Sequence, residues 1–155
     1  MTDQISILVE NEEVLQVLNR LQAKLGNLQP AFTQAGAKLQ SSINVRFQTK
    51  VSPAGVAWAA LKPSTQLSYS KKYKGKTPGS LLDRSTNGLL KSLTRRVNPN
   101  GVVVGFGKPY AAYHEFGTKK MERRGLMFAN PNLGLLAQKD STAIETIFNN
   151  FLSKL

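Results

Sequence analysis

The sequence predicts an α+β fold in which a small antiparallel sheet packs against long N-terminal helices and a C-terminal amphipathic helix, with a long basic loop between them. Three patterns carry that prediction. Two stretches near the start repeat apolar residues at spacings of three and four, a valine-rich run follows an Asn-Pro-Asn-Gly turn, and the C-terminus has one broad apolar face. At 155 residues the chain suits a single domain, 1–155, since domains hold about 100–200 residues. Its 41% hydrophobic and 19% charged residues are ordinary for a chain that folds.

The alternation in Ile5-Ser6-Ile7-Leu8-Val9 predicts a short opening strand, and Asn11, Glu12 and Glu13 resemble a helix start. Val14, Leu18, Leu21, Leu25 and Leu28 then form one helical stripe, broken by Gly26 and Pro30. Phe32, Ala35, Leu39, Ile43 and Phe47 repeat the spacing, so two helices open the domain. Residues 51–79 are punctuated by Pro53, Gly55, Pro63, Gly75, Pro78 and Gly79 and are expected to be a long mobile loop. That loop carries Lys71, Lys72, Lys74 and Lys76. A short helix is expected from Asn87 to Leu93, then alternation into Val97.

Asn98-Pro99-Asn100-Gly101 is a strong turn signal, and Val102-Val103-Val104-Gly105-Phe106 after it is β-branched, which predicts a hairpin. Tyr110 to Phe116 is expected to be helical and to end at Gly117. A second basic loop follows, with Lys119, Lys120, Arg123 and Arg124. Asp140 or Ser141 is expected to cap a last helix whose face is Ile144, Ile147, Phe148, Phe151, Leu152 and Leu155.

Charge is the strongest statement composition makes: 21 Lys+Arg against 9 Asp+Glu, a formal +12. Such a field favours an acidic protein surface or a polyanion, and composition does not separate the two. The absence of cysteine excludes disulfides and thiolate metal sites. No apolar run approaches the ~20 residues of a membrane span. Met1–Glu10 has no basic start followed by an apolar signal core, so the expectation is a cytosolic product with no membrane partner.

The candidates for chemistry fail on spacing. His114-Glu115 lacks the second histidine that a helical metal motif places four residues on, and His114 is the sole histidine. Packing near the sheet, or titration at an interface, is the expectation for it. Gly105-Phe106-Gly107 lacks the third glycine of a dinucleotide loop, where Tyr110 stands. No serine lies in a Gly-x-Ser-x-Gly elbow. Neither an enzyme nor a cofactor is expected. The basic loops with Tyr69, Tyr73 and Trp58 keep a rival open, a nucleic-acid-binding module without catalytic activity. Aromatics are only 8%, and Trp58 sits in the apolar run Val56–Leu61, so core packing explains it more simply.

Three blocks stand in order along the chain. After Phe47 comes Ser52-Pro53-Ala54-Gly55-Val56-Ala57-Trp58-Ala59-Ala60-Leu61 and then Thr65; next Leu81-Leu82-Asp83-Arg84-Ser85 with Gly88-Leu89-Leu90-Lys91-Ser92-Leu93. The third is Val104-Gly105 followed by Tyr110-Ala111-Ala112-Tyr113-His114-Glu115-Phe116-Gly117. In this order they resemble the phage virion morphogenesis family, over nearly the whole chain. Met127 to Gly134 stands where family members often carry Arg-Pro-Phe-Leu-Gly, and there the arginine is missing. The resemblance implies a structural phage or prophage protein that completes the tail or joins head to tail, assembled as a homo-oligomeric ring. It implies residence in the virion, and in the bacterial cytoplasm during assembly. Its partners would then be further copies of itself, tail tube or head connector proteins, and the phage DNA in the channel. Lys71, Lys72, Lys74, Lys76, Lys119, Lys120, Arg123 and Arg124 are the expected contacts.

Overall fold

The computed structural model describes residues 12–74, 82 and 88–154. The expected opening strand, Ile5 to Val9, lies outside the described residues. Helix α1 runs from Glu12 to Leu25 and stops where the Gly26 N–H bonds back to the Gln22 carbonyl, 2.8 Å. Helix α2 follows at once, Gln29–Thr49, with Pro30 in its first turn, where a missing N–H costs nothing. It ends at Lys50, whose φ of 60° is left-handed and whose N–H caps the Arg46 carbonyl at 2.8 Å.

The buried side of α2 presents Ala31, Ala35, Ile43 and Phe47, and it carries both halves of the domain. On one flank lies an antiparallel hairpin, β1 (Leu93–Asn98) and β2 (Gly101–Phe106), paired from Leu93↔Phe106 to Asn98↔Gly101. The Asn98 side chain accepts the Asn100 N–H at 3.0 Å and fixes the turn, as the Asn-Pro-Asn-Gly signal predicts. The hairpin crosses α2 at Gly36, where an added Cβ would stand 2.5 Å from Val102 Cγ2 and 2.7 Å from Arg95 Cδ. A glycine there leaves room for these two side chains against the helix backbone.

On the other flank lies α5 (Gln138–Ser153), with Phe32 of α2 edge-on to Phe148, ring centroids 5.4 Å apart. The expected cap is corrected here. Ala137 holds the N-cap position, and Asp140 lies inside the first turn, buried, where its carboxylate pairs with the Arg46 guanidinium. Its negative charge still favours that end of the helix.

The core gathers Ile43, Phe47, Trp58, Leu89, Leu93 and Leu126. Phe47 meets Trp58 edge-to-face at 5.3 Å and Phe106 at 6.0 Å. The Trp58 indole N–H donates to the Gly125 carbonyl at 3.0 Å, so the ring's polar edge is satisfied where its body is buried.

Two expectations need correction, and one element was not expected. Residues 51–79 are not one loop. Val51 pairs with Ala57 around a tight turn, and α3 runs from Pro63 to Lys72; 75–79 lie outside the described residues. Pro63 presets the first turn of α3, but Ser64, Thr65, Ser68 and Ser70 have poor helix propensity and no residue of the helix is fully buried, so no apolar stripe announces it. The short helix expected up to Leu93 is a single 3-10 turn, Leu90–Ser92, because Leu93 already begins the strand. A second hairpin, β3 (Phe128–Asn130) with β4 (Leu135–Leu136), was hidden by its length. The predicted α4 is present as Ala111–Phe116, stopped by Gly117 at φ 75°. Among the described residues no helix is long and apolar enough to cross a membrane.

Candidate partner-binding surface

The Ser-Pro-x-Gly-x-x-Trp-x-x-Leu block acquires a physical reading first. Ser52 opens the turn, its N–H bonding to the Val56 carbonyl at 2.7 Å and its hydroxyl accepting the Val56 N–H at 3.2 Å. Gly55 takes a φ of 80° that side chains avoid. The turn delivers Trp58 to the core and runs on so that Leu61 and then Thr65 of α3 face a cavity of about 460 Å³.

The Tyr-Ala-x-x-His-x-Phe-Gly block supplies the opposite wall. Tyr110 and His114, four apart on the α4 turn, both line the cavity and meet edge-on at 6.3 Å. Ala111 packs against the core. Leu82, Leu89 and Met121 close the floor, and Lys62, Lys120, Glu122 and Arg124 stand around it. Lys62 donates to the Lys120 carbonyl at 2.8 Å, tying the start of α3 to the turn at 118–121. Gly105 has no such explanation, since a Cβ there would meet nothing within 4 Å.

The cavity wall is held by a buried polar lattice that the sequence did not announce. Glu115 is buried on α4, and its carboxylate accepts three successive backbone N–H groups: Leu126 at 2.7 Å, Met127 at 2.9 Å and Phe128 at 3.1 Å. Arg123 adds a guanidinium contact to the same carboxylate at 3.2 Å and donates to the carbonyls of Glu115 and Phe128. Arg124 forks onto the carbonyls of Ala59 (2.8 Å) and Ala60 (3.0 Å), while its own N–H reaches the His114 carbonyl at 2.8 Å. Arg46 completes the lattice through the Leu126 carbonyl (2.9 Å) and Asp140. A helix that presents a glutamate one residue beyond a histidine thus uses it as an anchor for a strand.

The eight expected contact residues therefore divide. Lys71, Lys72 and Lys74 are exposed at the C-terminal end of α3, with Lys72 5.5 Å from the Tyr73 ring. Lys119 and Lys120 are exposed in the 118–121 turn, whose Lys120 and Met121 N–H groups the Thr118 hydroxyl accepts. Lys76 lies outside the described residues. Arg123 and Arg124 are corrected: Arg123 is half-buried, Arg124 is only 5% exposed, and both spend their donors on this chain's own carbonyls. No free basic loop spans 119–124.

Alongside the cavity, α4 exposes a ridge that sequence reasoning missed. Tyr110, Tyr113 and Phe116 recur every third residue and stay 40%, 59% and 55% exposed. Their spacing, read as helix-forming, gives no warning that the apolar side faces outward.

Residues 9–153 match the phage virion morphogenesis family. The chain is 30% identical over 149 residues to "Mu-like prophage FluMu G protein 2" of Haemophilus influenzae, an alignment covering 95% of this chain and 96% of that protein. No solved structure matches it.

Proposed function

From the premise that this chain belongs to the phage virion morphogenesis family, we propose that it completes the tail or joins head to tail in the assembling particle, as a homo-oligomeric ring and without catalysis. The family places it among phage structural and assembly proteins. The observation that carries the finer reading is the extent of the match: it runs almost end to end, through the Trp58 turn, the cavity and the Glu115 anchor, so the whole domain is shared and not one motif.

Surface chemistry supports a role in docking. Three exposed aromatics at successive third positions, Tyr110 at the start of α4 and Tyr113 and Phe116 on it, are what a protein–protein contact buries at its centre. The exposed lysines at the end of α3 and in the 118–121 turn suit an acidic tail tube or connector. Deleting the gene from an inducible prophage should leave heads and tails unjoined under the electron microscope, with infectious particles restored by a plasmid copy. Normal particles from the deletion would refute the reading. Light scattering of the purified chain tests the ring.

A second reading, binding to nucleic acid, is favoured by one observation: Lys72 stands 5.5 Å from the Tyr73 ring, Tyr69 lies 6.1 Å from the same ring, and Lys71 and Lys74 are exposed beside them in sequence, an arrangement that can stack a base and neutralise phosphates. A gel-shift series separates the two, since phosphate contacts give a steep loss of affinity with salt.

A further inference from the structure

The cavity between α3 and α4 offers an apolar floor, made by Leu82, Leu89 and Met121 with Leu61 beside them, and Lys62, Lys120, Glu122 and Arg124 stand around it. At about 460 Å³ it lies in the range of sites that bury a ligand, and it has room for a few aliphatic side chains, not for a whole strand. Its complement is a short segment that is both aliphatic and acidic.

This chain supplies one such segment. Of its nine acidic residues, Glu115 and Asp140 are buried in the lattice, and Glu122 lies on the cavity's own rim. Asp83 and Glu145 each stand alone in sequence. The remaining four, Asp3, Glu10, Glu12 and Glu13, all precede the first basic residue, Arg20. Ile5, Ile7, Leu8 and Val9 lie among them. The charge of the chain is thus segregated, with an acidic aliphatic start and a strongly basic remainder.

We propose that residues 2–13 of one copy dock on the basic cavity of the next copy, aliphatic side chains on the floor and carboxylates toward Lys62 and Lys120. The proposal rests on the ring reading above and gives it a contact. A ring closed by rotation needs a heterologous interface, in which a donor surface on each subunit meets a different acceptor surface on its neighbour. The acidic start and the basic cavity are such a pair. The lysines at 71, 72 and 74 continue the positive surface along α3 and would speed the encounter.

The absence of cysteine permits a direct test with the full chain. One population carries Ser6→Cys, a second, differently tagged, carries Thr65→Cys, and the mixture is treated with a bis-maleimide. The expected result is a cross-linked pair with one chain of each kind. Its yield should fall several-fold when salt is raised from low to physiological levels. It should also fall several-fold with Ala60→Trp, which fills the cavity, or with Lys62→Glu plus Lys120→Glu, each checked for folding by circular dichroism. A chain carrying both cysteines that closes on itself, while the mixture gives no mixed pair, would overturn the proposal by placing the segment in its own cavity. So would an oligothymidylate whose binding is abolished by Ala60→Trp and which suppresses the cross-link, because the cavity would then belong to nucleic acid. Light scattering separates this failure from that of the ring itself. A defined oligomer without the cross-link leaves the ring standing and removes this contact, and a monomer without it removes both.

Discussion

Two sets of basic residues share one charge and do opposite work. Arg46, Arg123 and Arg124 are inside the molecule or at its edge, with guanidinium groups committed to carboxylates and carbonyls of the same chain. Lys71, Lys72, Lys74, Lys119 and Lys120 stand in solvent. Arginine's planar fork can satisfy two carbonyls at once, as Arg124 does for Ala59 and Ala60, whereas a lysine is a point charge on a flexible stem and stays hydrated at little cost. A net charge of +12 is therefore not a count of binding contacts. Only the hydrated part of it is offered to a partner.

The sharpest way to break that division is Glu115→Ala. It strips three backbone N–H groups of their acceptor and leaves the Arg123 guanidinium without its carboxylate, so a loss of about 3–5 kcal/mol is expected. Urea denaturation followed by circular dichroism measures it. A loss below about 1 kcal/mol would mean that the anchor behaves as an exposed pair.

Removing Arg46 alone, as Arg46→Met, strands the Asp140 carboxylate inside the protein and should also cost about 3 kcal/mol. Adding Asp140→Leu should restore much of that loss, because a buried pair replaced by apolar groups is often neutral. A double variant no more stable than the single one would show that the Arg46 bond to the Leu126 carbonyl, and not the ion pair, holds the segment.

A smaller effect is expected at Gly36. Gly36→Ala gains up to about 1 kcal/mol of helix propensity, but its Cβ would press on Val102, a stiff β-branched side chain in the hairpin. Overpacking of that kind costs about 1–3 kcal/mol, so a net loss of about 1 kcal/mol is expected in the same denaturation assay. A net gain would show that the hairpin can slide on α2.

Periodicity and turn chemistry made most of the frame legible: both early helices, the 93–106 hairpin, the Gly117 stop and part of the apolar face of α5 follow from spacing and from Asn, Pro and Gly at fixed places, although Leu152 of that face is exposed and Leu155 lies outside the described residues. What escaped depends on contacts distant in sequence. Arg124 reaches back 65 residues to Ala59, and Arg46 reaches forward 94 to Asp140. Nothing local distinguishes such an arginine from a solvated one. Helix α3 escaped because Ser and Thr occupy its turns, and the α4 ridge because the 3.6-residue period shows which side is apolar but not whether that side is covered. The cavity was not legible, although the resemblance picked out residues that line it. The motif residues Leu61, Thr65, Tyr110 and His114 come from segments far apart in sequence and meet on its walls.

The least change in stability is expected from the exposed set. Lys71→Glu with Lys72→Glu and Lys74→Glu alters only side chains in solvent at the end of α3, where substitutions usually stay within about 0.5 kcal/mol. The like charges it removes repel one another weakly, and the carboxylates it adds sit at the helix end where the dipole disfavours them, so a small net loss is the expected sign. Adding Lys119→Glu and Lys120→Glu should change the fold no further, because the turn there is held by the Thr118 hydroxyl and not by the lysine side chains. Assembly should respond quite differently. Charge reversal in both segments removes the field that steers an acidic partner, and complementation of a gene-deleted prophage should fail or weaken most at low salt, where screening is least. Full complementation by this variant, with its fold intact, would separate the exposed lysines from docking and leave the aromatic ridge of α4 to carry the contact.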